Sequence, residues 1–188
     1  MISAILLAAG KSERMGGENK LIKEIKGKPL IKHTLKNILS SSIDELIVVL
    51  GYQEKIIRPL IDKNTKIKIF YNKDFDTGMA SSIKIGLENI SKKTDFFFIC
   101  LGDMPMVKTS IYEELIKNKK RNEIIIPTFN GIQGNPILFY KTMKNKLMAI
   151  NGDSGAKKIL EFYKEKIFNL DTNDKTVVQD FDTEENFN

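Results

Sequence analysis

Short apolar runs alternate along this chain with segments of helical period. ISAILLA (2–8), ELIVVLG (45–51), KIKIFYN (66–72), DFFFICL (95–101) and EIIIP (123–127) are short, rich in β-branched or aromatic residues and bounded by turn formers, which predicts strands. Between them, PLIKHTLKNIL sets Leu30, Ile31, Leu35, Ile38 and Leu39 on one stripe, with Pro29 suited to a first helical turn; IKIGLENI and SIYEELIKN carry the same period. Strands apolar on both faces and separated by helices require a sheet covered on both sides. The pattern therefore predicts a doubly wound α/β domain, with a mostly parallel sheet and helices on both faces.

After Pro127 the rhythm changes. FNGIQGNPILFY reads as a loop and a strand outside the simple alternation, GDSGAKKILEFY resumes a helix, KIFNL makes another short strand, and TVVQDFD leads toward the C-terminus. With no internal repeat, low-complexity linker or second boundary, residues 1–188 read as one domain with a substrate-side insertion around 128–155. A chain of 188 residues can bury about 70% of the surface it exposes when unfolded.

Composition narrows the class. Hydrophobic residues make up 41% and charged residues 29%, and neither an apolar run near 18 residues nor a basic-then-apolar leader is present, so the expectation is a cytoplasmic protein with no membrane partner. The single cysteine, Cys100, has no second thiol to pair with and reads as a buried structural thiol. The net charge of +6 comes from lysines spread along the chain, with only three arginines, and reads as a solvated basic surface or as attraction for an anionic ligand. No basic run is interleaved with aromatics and no finger, zipper or RNA-recognition motif occurs, so nucleic acid is not an expected partner; KNKKR at 117–121 is the solvated end of a helix.

Candidate chemistry lies where strands end, because open α/β sheets bind ligands beyond the carboxyl ends of their strands. The loop after the first strand reads GxxxRxGGxxK, with Gly10, Arg14, Gly16, Gly17 and Lys20. Five residues separate Gly10 from Gly16, which excludes a P-loop, and the dinucleotide fingerprint GxGxxG is absent. What remains is either an ordinary turn with solvated cations or a loop whose amides approach phosphate closely, with a guanidinium and ammonium groups to neutralise it. In LGDMP (101–105), Asp103 directly follows a strand and either caps the next turn or holds Mg²⁺, which accepts one or two carboxylates when nucleotide phosphates complete its shell. In DFDT (180–183), Asp180 and Asp182 share a side if that stretch is extended; otherwise they belong to an acidic tail.

LAAGKSERMG with Lys20, GKPLIKHTL, GMASSIKIGL, LGDMP, GNPILF, GDSGAKKIL and DFDTEEN, in this order over residues 4–186, resemble the MobA-like nucleotidyltransferases, specifically the molybdenum cofactor cytidylyltransferase branch. The resemblance implies a Rossmann-like nucleotidyltransferase fold and Mg²⁺-dependent transfer of CMP from CTP to the terminal phosphate of a molybdenum-pterin cofactor, with release of pyrophosphate. It implies that Ala8, Ala9 and Gly10 line the nucleotide site, that Arg14 and Lys20 bind phosphates, and that Arg14, Lys20 and Asp103 form the catalytic set. Asp103 and Asp182 would be the metal ligands, Gly78 and Ser82 would meet the base, and Asn135 and Asp153 would face the pterin. A molybdenum hydroxylase would receive the product.

Three positions depart from the family pattern: Asn19 where aspartate is usual before the loop lysine, Asn135 where histidine is usual, and Lys157 where arginine is usual. The last two fall on the acceptor side. The same scaffold could instead carry guanylyl or sugar-phosphate transfer, and the two acceptor-side departures keep open a nucleotide-binding or cofactor-carrying protein without turnover. His33, the only histidine, falls in a predicted helix and reads as structural.

Overall fold

The computed structural model describes residues 1–12, 18–119, 122–153 and 155–181. β1 (Ile2–Ala8) is buried at every position, and its side chains divide by the period of two. Ala4, Leu6 and Ala8 join one core cluster, while Ile5 and Leu7 join a second on the opposite face. A hairpin of β2 (Glu24–Ile25) and β3 (Lys28–Pro29) leads into α1 (Leu30–Leu39). Pro29 pairs with Glu24 and stands as the helix N-cap, one residue ahead of the first turn where the sequence suggested it. His33 Nε2 lies 2.8 Å from the Ile25 carbonyl, tying α1 to this hairpin.

β4 (Glu45–Leu50), the short α2 (Glu54–Ile57) and β5 (Ile67–Tyr71) follow. Next come α3 (Met79–Asn89), β6 (Phe96–Leu101), α4 (Thr109–Lys117) and β7 (Ile124–Phe129). After β7 the chain forms β8 (Ile132–Gln133) and β9 (Ile137–Tyr140), then α5 (Lys144–Met148), α6 (Lys157–Leu160) and β10 (Ile167–Asp171).

The described strands order as β10-β7-β9-β6-β1-β4-β5, with β8 paired to β7. The pairings of β1 with β4 and β6, of β4 with β5 and of β10 with β7 are parallel, and β9 runs antiparallel between β6 and β7. The mostly parallel sheet expected from the sequence is therefore present, with β9 inserted against its direction. α1 and α4 cover one face; α3, α5 and α6 cover the other. A Cβ on Gly86 would come within 2.3 Å of Ile5 Cγ2, so the glycine lets α3 lie close against β1.

One late segment differs from its sequence reading, and a second settles a condition the sequence left open. The helix expected over GDSGAKKILEFY is short. Its apolar face is only Ala156, Ile159 and Leu160, and the Phe162 and Tyr163 amides turn back three residues, to the Ile159 and Leu160 carbonyls. TVVQ is not extended: Lys175–Val178 is a 3₁₀ turn, capped by Asp174, whose carboxylate accepts from the Thr176 amide at 3.0 Å. No strand among the described residues therefore supports the period-two pairing of Asp180 with Asp182.

One charged group is buried at the opposite end of the sheet from the strand carboxyl ends. Glu45 accepts from Ser3 Oγ at 2.7 Å, the Ser91 amide at 2.6 Å and Lys68 Nζ at 2.9 Å. Burial works to raise its carboxyl pKa, but the Lys68 ammonium and the two other donors outweigh it and hold the group below its ordinary 4.5. The folded state thus binds this proton less readily than the unfolded chain, so the stabilisation is complete above about pH 4.5 and is lost as pH falls through the lowered folded value. The melting temperature should decline through that acid window, and Glu45→Gln should be less stable at pH 7 with a flatter acid limb. A variant whose curve parallels the wild type at every pH would remove Glu45 from this role.

Candidate active site

β1 pairs with β6 through Leu7↔Leu101 and with β4 through Ala8↔Leu50, so the three strands end together and their loops open on one edge. The switch in strand order falls at β1, whose successor strands run off on both sides, and a crevice forms there. It is a cleft of about 640 Å³. Leu7 to Ser12, Lys20 and Leu21 form one wall, Leu101 to Asp103 the floor, and Phe75 to Met79 with Ser82 the opposite wall; Asp153 and Asp180 reach it from the later part of the chain.

Each wall has a local cause. Asn19 caps the 3₁₀ turn Lys20–Ile22, its side-chain oxygen accepting from the Leu21 amide at 3.1 Å, and this turn presents Lys20 to the cleft. The Lys20 amide donates to Ser12 Oγ at 3.2 Å, joining the two sides of the opening loop. At the floor, the Gly102 amide donates to the Leu7 carbonyl at 2.9 Å, and Thr34 Oγ1 of α1 donates to the Gly102 carbonyl at 3.0 Å. These bonds hold Asp103 at the strand end. The Phe181 amide donates to the Asp103 carbonyl at 3.0 Å, and this contact brings Asp180 to the cleft.

Lys20 Nζ donates to Asp103 Oδ2 at 2.5 Å, between side chains only 15% and 17% exposed. The other oxygen, Asp103 Oδ1, is buried and has no hydrogen-bond partner among the described residues. A buried acceptor left unmade costs about 1–3 kcal/mol, so this oxygen is suited to a ligand that supplies positive charge. Phe75 stands between Lys11, whose Nζ is 5.7 Å from the ring centroid, and Tyr52, at 6.3 Å between rings. Lysines at one side and the carboxylates Asp76, Asp103, Asp153 and Asp180 around the cleft suit a ligand carrying phosphates together with a cation.

Nine of the residues singled out in the sequence thus share one cleft: Ala8, Ala9, Gly10, Lys20, Gly78, Ser82, Asp103, Asp153 and Asp180. Asn135 is not in its lining; its amide donates to the Val177 carbonyl at 2.7 Å and its bond to Pro136 is cis. Lys157, the nearby departure from the family pattern, donates to the Gln133 carbonyl at 3.1 Å. Arg14 and Asp182 lie outside the described residues. Phe75, Asp76, Thr77 and Met79 were missed, although their adjacency to Gly78 was a signal. Among the described residues no three His, Cys, Asp or Glu side chains group as a ready-made metal site, and no helix is long and apolar enough to cross a membrane.

The sequence of this chain matches the model of the MobA-like NTP transferase domain over residues 4–167. The chain belongs to the MobA-like NTP transferase family. Among curated MobA-like relatives, the molybdenum cofactor cytidylyltransferase of Escherichia coli K12 is 30% identical over 140 residues, covering 74% of this chain and 70% of that protein. A probable molybdenum cofactor guanylyltransferase of Natranaerobius thermophilus is 33% identical over 134 residues, covering 69% and 62%. The chain also matches the bifunctional protein GlmU of Staphylococcus epidermidis at 23% identity over 143 residues, 76% of this chain, and spans only 31% of that protein's length. Of solved structures, Rv0371c of Mycobacterium tuberculosis H37Rv superposes with a TM-score of 0.88 at 23% identity, over 99% of this chain and 95% of that one. A complex of Rv0371c with manganese superposes at 0.77 and 22% identity, over 91% and 88%. These likenesses show that the MobA-like chain has the nucleotidyltransferase fold.

Proposed function

We propose that this protein is a cytoplasmic nucleotidyltransferase that moves CMP from CTP to the terminal phosphate of a molybdenum-pterin cofactor. The observation that carries the reading is the Lys20–Asp103 pair on the cleft floor, with Asp103 Oδ1 buried and unpartnered among the described residues. In the reaction a phosphate oxygen of the acceptor attacks the α-phosphorus, the bond from that phosphorus to the bridging oxygen breaks, and pyrophosphate leaves with the electron pair. The nucleophile is already an anion, so the protein's work is to hold two anions in line and neutralise the charge that develops.

The donor set fits a divalent cation, since an ionised carboxylate is acceptor-only and Oδ1 has no other use among the described residues. Mg²⁺ would be held by Asp103 and Asp182 together with phosphate oxygens, and when bound it would neutralise phosphate charge. The rest falls to the chain. Lys20 would exchange Asp103 for the leaving pyrophosphate, Arg14 would add a bidentate fork, and the Ala8, Ala9 and Gly10 segment would approach the nucleotide with its main chain. Gly78 and Ser82 would meet the base. Asp153 would face the acceptor from the 128–155 insertion. Asn135 would face the acceptor from outside the cleft lining, and a molybdenum hydroxylase would take the product.

Guanylyl transfer is the second reading, favoured by the relative of that name at 33% identity. A thermal-shift comparison separates the two. A ligand at about 100 times its dissociation constant stabilises by roughly 2.7 kcal/mol, so CTP with Mg²⁺ should raise the melting temperature more than GTP at equal concentration. Pyrophosphate release with molybdenum-loaded pterin should follow the same order. A GTP preference in both measurements would move the protein to the guanylyl reading, and binding without release would make it a carrier.

A further inference from the structure

Asn72 follows β5 and is completely buried, 0% exposed. Its main-chain amide donates to the Leu50 carbonyl at 2.7 Å, extending the sheet by one bond. The Asp74 amide donates to Asn72 Oδ1 at 3.0 Å. A backbone amide can only donate, so this bond fixes which end of the side-chain amide is oxygen and turns the NH₂ group toward α3. There Nδ2 donates to Ser81 Oγ at 2.8 Å and to Ser82 Oγ at 2.9 Å.

The two serines then differ. Ser81 has acceptors for its own proton, the Gly78 carbonyl at 2.8 Å and the Asp74 carbonyl at 3.1 Å. Ser82 is 4% exposed, lines the cleft and accepts from Asn72, and its proton has no acceptor among the described residues. A free hydroxyl can donate or accept. One that already accepts from a donor-only group is biased to give its proton elsewhere, and for Ser82 the cleft is where a ligand would receive it.

We infer that Asn72 is a positioning residue that fixes Ser82 as a hydrogen-bond donor toward the nucleobase. This rests on the nucleotide reading of the cleft and adds to it the polarity of base recognition. Ser82 meets a carbonyl oxygen or an unprotonated ring nitrogen and not an exocyclic amine, so the base is read on its acceptor edge. Asn72 touches no ligand in this account and acts only through the serine.

The test is a double-mutant cycle on the full chain, reading CTP and GTP affinity by calorimetry with Mg²⁺, and melting temperature alongside. Asn72→Asp keeps an acceptor for the Asp74 amide but can only accept from the serines, so Ser82 turns its lone pairs to the cleft. Affinity for the preferred nucleotide should fall by about tenfold, the scale of one hydrogen bond. Asn72→Ala, which leaves the hydroxyl undirected, should lose less. In a Ser82→Ala background the same Asn72 changes should alter affinity by less than about twofold, because the group they orient is gone. If Asn72→Asp does not fold, the Asn72→Ala arm decides alone. Equal losses in both backgrounds would make Asn72 a structural residue and overturn the inference while leaving the nucleotide reading standing. Binding of neither nucleotide by the wild type would remove both.

Discussion

Asp103→Ala should lower the rate of pyrophosphate release by about a thousandfold or more, on the scale of removing one preorganised charge-stabilising group, while the melting temperature shifts little because two effects on stability oppose each other. The two halves of this expectation come from the two oxygens. Oδ2 carries the pair with Lys20, so the truncation also leaves that ammonium without its carboxylate on the cleft floor. Oδ1 is a buried acceptor with no partner among the described residues, and removing it relieves about 1–3 kcal/mol of unmet desolvation. The bond from the Phe181 amide to Asp103 goes to the main chain and survives the change. Stability and activity therefore separate at this position, as they do where a residue is held in an unfavourable state for the sake of a ligand. A purified variant with an intact melting transition and activity within tenfold of the wild type would sink the assignment.

Gly78→Ala should damage both stability and turnover. Gly78 has φ of 111°, in a region that side chains rarely adopt. A Cβ there would lie 2.4 Å from the carbonyl carbon and oxygen of Gly152 and 2.5 Å from the amide of Asp153. Backbone cannot move aside as a flexible side chain can, so the 152–153 segment must lift. With it goes the bond from the Ala80 amide to the Gly152 carbonyl, 3.2 Å, which joins that segment to the first turn of α3. Strain of this kind costs about 1–3 kcal/mol. A displacement near 1 Å at a positioning wall can cost about a hundredfold in rate. Gly10→Ala offers a comparison for stability alone, because a Cβ on Gly10 meets no atom of the described residues within 4 Å. Melting temperatures should fall for Gly78→Ala and stay level for Gly10→Ala. A Gly78 variant as stable and as active as the wild type would mean that the close approach of the two segments plays no part.

Much of the architecture is legible in the amino-acid pattern, because it rests on local constraints. A strand such as β1, buried along its whole length, must be apolar on both faces, and only a sheet covered on both sides accommodates several of these in a row. The same logic places the loop after β1 and Asp103 after β6 on one edge, since parallel strands send their carboxyl ends the same way. The helices at 30–39, 79–89 and 109–117 follow from stripes with helical spacing. The reading fails where the local signal is weak or ambiguous. The composition of TVVQ left open whether it is extended; Asp174 caps it into a 3₁₀ turn, and Val177 buries its carbonyl over Gly134 and the Asn135 amide. The helix after residue 155 is shorter than its apolar spacing suggests, because that spacing continues through Phe162, which in the folded chain is 71% exposed.

The alternation of strands and helices, the covered parallel sheet and the edge on which a ligand could bind are all encoded locally in the amino-acid pattern. Those follow from hydrogen-bond satisfaction and from the period of burial, both of which act over a few residues at a time. Tertiary structure alone decided which side chains meet. Lys20 and Asp103 are 83 residues apart in the chain, Gly78 touches a segment beginning at Gly152, and the direction of the Ser82 proton depends on an amide whose orientation is set by Asp74. No local pattern encodes such meetings, because each depends on the path of the whole chain around the sheet and on which partner is left once every nearer hydrogen bond has been made.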